Sequence, residues 1–211
     1  MLPRFRALRH RLLGRLQRGV PRSVDLAVGG LTSVLLIWLF AAANLFYYPQ
    51  VSEPKKADAV VVLAGAASER LPVGRELIDG SYAPELVLSY TDTPGNRITD
   101  LYCDYTAGDT VTEDPDSAAV TCFFPEPLTT RGEARAIARL AADNGWENLI
   151  VVTSRYHLLR AETNLSQCTT AELTMVGSDP ELSPMQWLGR FAEETGGLAA
   201  ATLRPACASR I

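Results

Sequence analysis

The most constraining feature of this chain is a stretch without charge. Between Asp25 and Glu53 no acidic or basic residue occurs, and Leu26 to Phe46 reads LAVGGLTSVLLIWLFAAANLF. As a helix, these 21 residues reach about 31 Å at ~1.5 Å per residue, enough to cross the hydrocarbon core of a bilayer. Residues 1–22 hold seven arginines (Arg4, Arg6, Arg9, Arg11, Arg15, Arg18, Arg22) and no acid, Trp38 lies inside the run, and Phe46-Tyr47-Tyr48 closes it. Basic residues favour the cytoplasmic side, and amphipathic rings favour the membrane interface. The expected organisation is a basic cytoplasmic tail over 1–23, a transmembrane helix over 24–48, a Pro-bearing spacer over 49–56 and an extracytoplasmic domain over 57–211. That makes a single-pass protein of the cytoplasmic membrane with its N-terminus inside. A cleaved signal peptide competes, because Ala41-Ala42-Ala43 resembles a processing site, but the run exceeds the ~7–15 residues of a signal core.

Charge then excludes a class of partner. The net charge is -4, but the tail holds seven of the 20 basic residues, so the rest of the chain carries 13 basic against 24 acidic residues, or -11. Phosphate-backbone binding needs clustered Lys and Arg, so nucleic acid is not an expected partner. The four cysteines, Cys103, Cys122, Cys168 and Cys207, fit an oxidising exterior in which thiols pair. Three connectivities are open. Cys103 with Cys122 and Cys168 with Cys207 is preferred, since the first closes an insertion and the second ties down the C-terminus. A zinc site lacks the Cys-x-x-Cys or clustered His it needs, so no metal is expected.

The outer domain alternates short apolar runs with amphipathic segments. Ala59 to Leu63 reads as a fully buried strand, and Leu86–Leu88, Ala118–Phe124, Leu149–Val152 and Glu172–Val176 as four more. Helices are expected over about 70–80, where Pro72 is tolerable only in the first turn, over 131–145, from Tyr156 to Ser166, and from Pro184 onward. Strands apolar on both faces and separated by helices predict an α/β fold, a Rossmann-like three-layer αβα sandwich on a mainly parallel sheet. Residues 91–117 break the alternation as a long Gly/Pro/Thr-rich segment with seven acids (Asp92, Asp100, Asp104, Asp109, Glu113, Asp114, Asp116). They lack EF-hand spacing and are expected to form a solvated face on a disulfide-closed insertion spanning 91–122.

Three segments carry candidate chemistry. The fourth strand ends in Thr153-Ser154-Arg155-Tyr156-His157-Leu158-Leu159-Arg160-Ala161, which places two hydroxyls, helix-terminal amides, His157 and Arg160 together in an anion-binding arrangement. In that arrangement His157 is suited to proton transfer; the plainer alternative has Ser154 cap the helix while His157 and Arg160 face solvent or the core. Thr130-Arg131-Gly132-Glu133 opens the preceding helix, where Thr130 and Glu133 read either as a capping box or with Glu133 aimed into the same crevice as a carboxylate partner of His157 or a metal ligand. After the first strand, Gly65 offers close backbone approach, and Arg70 is either an exposed first-turn residue or an anion clamp. No GxGxxG, GKS or G-x-S-x-G motif is present.

Taken together, Asp58 to Gly65 with Arg70, Thr130-Arg131-Gly132-Glu133-Ala134, and the T-S-x-x-H-x-x-R-A form of residues 153–161 resemble the YdcF/SanA/ElyC-like family of bacterial proteins, in the family's order and over roughly residues 57–178. Ala66 stands where that family often has a second glycine, and Glu133-Ala134 where it often has Glu-Asn. The resemblance implies a Rossmann-like domain behind a membrane anchor and a pocket made by Gly65, Arg70, Glu133, Thr153, Ser154, His157 and Arg160. It also implies an envelope role: SanA-like members are linked to barrier function, ElyC-like members to peptidoglycan and lipid-carrier metabolism, and YdcF itself to S-adenosylmethionine binding.

The leading expectation is a hydrolase, transferase or binding domain for a phosphorylated small molecule or lipid carrier, with His157 and Glu133 as catalytic groups and Gly65, Arg70, Thr130, Thr153, Ser154 and Arg160 binding the ligand. The alternatives are a non-catalytic envelope factor that binds a partner, and a nucleotide- or S-adenosylmethionine-binding protein if the topology is inverted. The residues identify no cofactor.

Overall fold

The computed structural model describes residues 22–51, 53–108 and 118–211. The basic tail of residues 1–21 and the acids Asp109, Glu113, Asp114 and Asp116 lie outside the described residues, as does the side chain of Asp104. Helix α1, Arg22–Ala42, carries the apolar run, and Ser23–Tyr47 is long and apolar enough to cross a membrane. Its Leu26, Leu31, Val34, Ile37 and Phe40 are exposed.

The α/β unit runs from Ala42 to Ile211, earlier than the boundary at 57 expected from sequence. The reason is the π-helical turn Ala43–Tyr47, whose aromatics enter the domain. Phe46 is 1% exposed with its ring 6.3 Å from that of Phe191, and Tyr47 meets Trp187 edge-on at 4.7 Å. Of the three aromatics assigned to a membrane interface, only Tyr48 is left largely exposed.

The sheet is β1 (Ala59–Val62), β2 (Glu85–Ser89), β3 (Ala119–Phe123), β4 (Asn148–Ser154) and β5 (Glu172–Ser178), all parallel, in the order β3-β2-β1-β4-β5. Successive side chains on a strand point to opposite faces, and the core divides accordingly. Ala59, Val61, Leu149 and Val151 pack with Ile137 and Ala138 of α4 (Thr130–Asn144) and Ala161 and Leu165 of α5 (Leu158–Leu165). Val60, Val62, Leu86, Leu88, Ile150 and Val152 pack with Leu71 and Leu77 of α2 (Ala67–Asp79) and Cys103 of α3 (Arg97–Gly108). The sandwich has three layers, and α6 (Pro184–Leu203) packs outside α5. A strand apolar at every position needs cover on both faces, which only this arrangement supplies.

Several expectations are corrected. Residues 91–117 are not a slack loop throughout: a 3-10 turn, Pro94–Asn96, leads into α3. Among the residues described between Pro94 and Cys103, Asn96, Thr99, Asp100 and Cys103 are buried, a helical i, i+3, i+4, i+7 pattern carried mainly by polar residues, while Ile98 and Leu101 are exposed. Pro72 falls in the second turn of α2, so its ring displaces the bond to Ser68 O inside the helix. The helix expected from Tyr156 begins as a 3-10 turn, Arg155–His157, before α5. Disulfides join Cys103 to Cys122 and Cys168 to Cys207. The first ties α3 to β3. The second anchors the C-terminus, where Ile211 N donates to Cys168 O at 2.9 Å. Bonds of this kind belong to oxidising compartments.

Candidate functional site

The carboxyl ends of β1 and β4 are neighbours at the point where the strand order reverses, the place where open α/β sheets gather ligands. After β1 the chain turns through Gly65 at φ +109, a conformation that side chains resist. Asn96 and Asp100 brace this turn. Asn96 Oδ1 accepts from Gly65 N at 3.4 Å, and its Nδ2 donates to Ser89 O at 2.7 Å and to Asp100 Oδ1 at 2.6 Å. Asp100 also accepts from the amides of Thr91 and Thr93 at 3.0 and 3.2 Å. This acid, expected on a solvated face, is buried and engaged on both oxygens.

Arg70 is not an exposed helix residue. It is 4% exposed, and its guanidinium donates to Ser154 Oγ at 3.0 Å, to Leu63 O at 3.3 Å and to Ala64 O. With Nε on the Ser154 hydroxyl and Nη1 on two backbone carbonyls, it pins the β1 turn to the end of β4. Ser154 provides no helix cap: its hydroxyl donates to Glu69, which also accepts from Ser178 Oγ at 3.2 Å. Thr153 is fully buried, and its hydroxyl has no partner among the described residues.

Helix α4 is capped by Thr129, whose Oγ1 accepts from Gly132 N at 3.2 Å, rather than by Thr130. The capping box considered from sequence does not form. Glu133 instead reaches across to the turn after β1, where its Oε1 accepts from Ala64 N at 2.8 Å. Burial raises its pKa, against the Ala64 amide, the Ser89 hydroxyl and the charges of Arg70 and Arg160. Shifts of this sort concentrate at functional sites.

The carboxylate on His157 is not Glu133 but Glu194, from α6. His157 Nδ1 lies 3.2 and 3.3 Å from the two Glu194 oxygens. Arg160 clasps the same carboxylate, Nε to Oε2 at 2.7 Å and Nη2 to Oε1 at 2.8 Å. Burial pushes the imidazole down to about 4, although Glu194 pulls the other way. Burial also pulls Glu194 upward, but the hydrogen bonds and charges of Arg160 and His157 prevail and hold it near about 2. At neutral pH the trio is therefore a carboxylate, a neutral ring and a guanidinium. Thr130 completes it, with Oγ1 3.0 Å from Arg160 Nη1 and 3.4 Å from His157 Nε2.

Glu194 is the residue that sequence reasoning missed, and a signal was present. Trp187, Phe191 and Glu194 follow i, i+4, i+7 spacing on the buried face of α6, so the acid occupies a core position. A carboxylate placed there needs a cationic partner.

A crevice of about 230 Å³ opens between these elements, lined by Ala64, Gly65, Thr91, Thr93, Thr129, Thr130 and Glu133, with Pro125 and Leu128 at its side. A larger hollow of about 810 Å³ lies at the other end of the sheet, beside Ala57, Pro84 and Ala118, and holds none of these site residues. Among the described residues no group of three His, Cys, Asp or Glu side chains is arranged to hold a metal ion. The structure thus brings Gly65, Thr130 and Glu133 to the crevice wall, sets His157 and Arg160 behind Thr130, and leaves Arg70, Thr153 and Ser154 in the scaffold. The chain matches no family model, no curated protein and no solved structure.

Proposed function

We propose that this chain is a membrane-anchored, extracytoplasmic YdcF-like protein of the bacterial cell envelope, which binds and processes a phosphorylated ligand in cell-wall or lipid-carrier metabolism. The observation that carries this reading is the composition of the crevice. It opens at the amino terminus of the 15-residue helix α4, among the hydroxyls of Thr91, Thr93, Thr129 and Thr130, with the Arg160 guanidinium bonded to Thr130. Helix-terminal amides, hydroxyl donors and a cation suit a phosphoryl group. Glu133 at the same wall has a raised pKa, which lessens the repulsion a carboxylate would offer an anion and suits it to give up a proton. The arginine-rich segment before α1 and the two disulfides favour the outward orientation.

The test is a thermal melt of the full chain in detergent micelles with pyrophosphate, nucleoside diphosphates and polyprenyl phosphate analogues. A ligand at ~100 times its Kd contributes about 2.7 kcal/mol, a rise in Tm of roughly 5–10 °C for a domain of this size. The rise should vanish in Thr130→Val. No rise with any of the three rejects the phosphorylated ligand. Free thiols in the intact chain purified from its membrane reject the outward topology.

A further inference from the structure

Three elements distant in sequence meet over one hydroxyl. Thr130 opens α4, His157 closes the turn before α5, and Glu194 lies in α6, yet the distances Oγ1 to Nε2 of 3.4 Å and Nδ1 to carboxylate of 3.2 Å form a continuous line. Chemistry fixes the direction of the protons along it. An ionised Glu194 only accepts, so Nδ1 carries the ring hydrogen and Nε2 presents its lone pair. Arg160 Nη1 only donates, so Thr130 Oγ1 accepts from it at 3.0 Å and turns its own hydrogen toward Nε2. The hydroxyl thus has a base on its proton, a cationic donor on its oxygen, and an orienting carboxylate behind the base. That is the constellation of an activated nucleophile. An ion pair serving only to join α5 and α6 would be complete with Arg160 and Glu194, and would need neither the imidazole nor a hydroxyl on the crevice wall.

We propose that Thr130 is the nucleophile of a covalent phosphoryl transfer, with His157 as its base, Glu194 as the positioning carboxylate and Glu133 as the acid that serves the leaving group. The substrate class rests on the phosphorylated-ligand reading above. In the first half-reaction the Thr130 Oγ1–P bond forms and the hydroxyl proton passes to His157 Nε2. The bond from phosphorus to the leaving oxygen breaks, and that oxygen takes the proton of the Glu133 carboxyl. In the second, water gives a proton to Glu133 and bonds to phosphorus, while the Thr130 Oγ1–P bond breaks and the threonine oxygen recovers its proton from His157. The sum is hydrolysis of a phosphate ester, with every protein group returned to its starting state. Thr130 and Glu133 lie three apart on α4, one helical turn, and both line the crevice.

The test uses the full chain in detergent micelles and a fluorophosphonate probe, whose electrophilic phosphorus accepts the nucleophile as fluoride leaves. Peptide mass spectrometry then locates the adduct. The expected result is a single adduct on Thr130, lost in Thr130→Val, kept in Thr130→Ser, and formed at least about 100-fold more slowly in His157→Gln. An unlabelled wild type, an adduct on another residue, or His157→Gln labelling at the wild-type rate overturns the proposal. The two Thr130 variants alter a half-buried side chain, so they decide the matter even where His157→Gln does not fold. A purely structural threonine would take no label in the wild type or in the serine variant, since its hydroxyl would serve only as the acceptor for Arg160. An adduct on Thr130 without any melt shift by phosphorylated ligands rejects that ligand class and keeps the nucleophile, whereas a melt shift without an adduct does the reverse.

Discussion

The buried imidazole makes a quantitative prediction about acid. Folded His157 takes up a proton only near about 4, whereas its ordinary value is 6.5. Between those limits the unfolded chain binds more protons than the folded one, so stability falls as pH falls. The loss is about 1 kcal/mol by roughly pH 5.5 and approaches about 3 kcal/mol near pH 4. Glu133 works in the opposite sense, because a raised carboxylate relieves its penalty as it protonates. The measurement that separates them is urea unfolding, followed by fluorescence of the partly buried Trp146 and the buried Trp187, for wild type and His157→Gln at pH 7 and about 5.5. The Glu133 contribution cancels in the comparison. Wild type should lose about 1 kcal/mol more than the variant over this interval. Equal losses would mean that His157 is hydrated in the folded protein, and the argument for a neutral base beside Thr130 would fail with it.

Other perturbations test the frame around the site. Phe46→Ala removes a ring that is 1% exposed and should cost about 3–5 kcal/mol, a fall in Tm of roughly 6–20 °C, while Tyr48→Ala should change it little; a melt unchanged in Phe46→Ala would return the domain boundary to residue 57. Gly132→Ala brings a Cβ within 1.9 Å of Pro127 O, so the backbone before α4 must shift, with an expected loss of about 1–3 kcal/mol and weaker ligand binding as Thr130 moves; wild-type melting and binding would contradict this. The Cys168→Ser, Cys207→Ser pair opens a loop with a sequence separation of 39 and should lower stability by about 3–4 kcal/mol in denaturant unfolding; an unchanged midpoint would show that the C-terminus is held without the bond.

The fold was legible because its cause lies in the strands themselves. Ala59-Val60-Val61-Val62 is apolar at every position, which an exposed sheet face would not tolerate, and the two clusters that divide β1 between them are the result. Legibility failed where burial was polar. Asn96, Thr99 and Asp100 have the spacing of a packed helix face but not its hydrophobicity, so a search for apolar periodicity passes over α3. It failed again at Phe46 and Tyr47, because an aromatic pair at the end of an apolar run has the same sequence signature whether it meets a lipid interface or the rings of Phe191 and Trp187.

The site divides along the same physical line. Residues that belong to one strand end and its helix, such as Gly65, His157 and Arg160, can be placed together from topology alone, since every βα turn of a parallel sheet opens on one edge. Roles inside that cluster depend on which charges meet. Arg70 and Arg160 are both strand-end candidates in sequence, yet Arg70 bonds Ser154 and the Leu63 and Ala64 carbonyls while Arg160 reaches Thr130. What separates them is Glu194, 34 residues beyond Arg160 on a helix that topology places only loosely. A buried carboxylate that stays ionised needs its partners, because desolvation alone drives it toward the neutral acid, as at Glu133, and only the bonds from Arg160 and His157 hold Glu194 ionised. Once Glu194 is fixed, the tautomer of His157, the donor role of Arg160 and the orientation of the Thr130 hydroxyl follow in turn. The chemistry of the strand-end motif is therefore decided by an acid outside it, which is why reading the motif alone assigned the wrong carboxylate to the histidine.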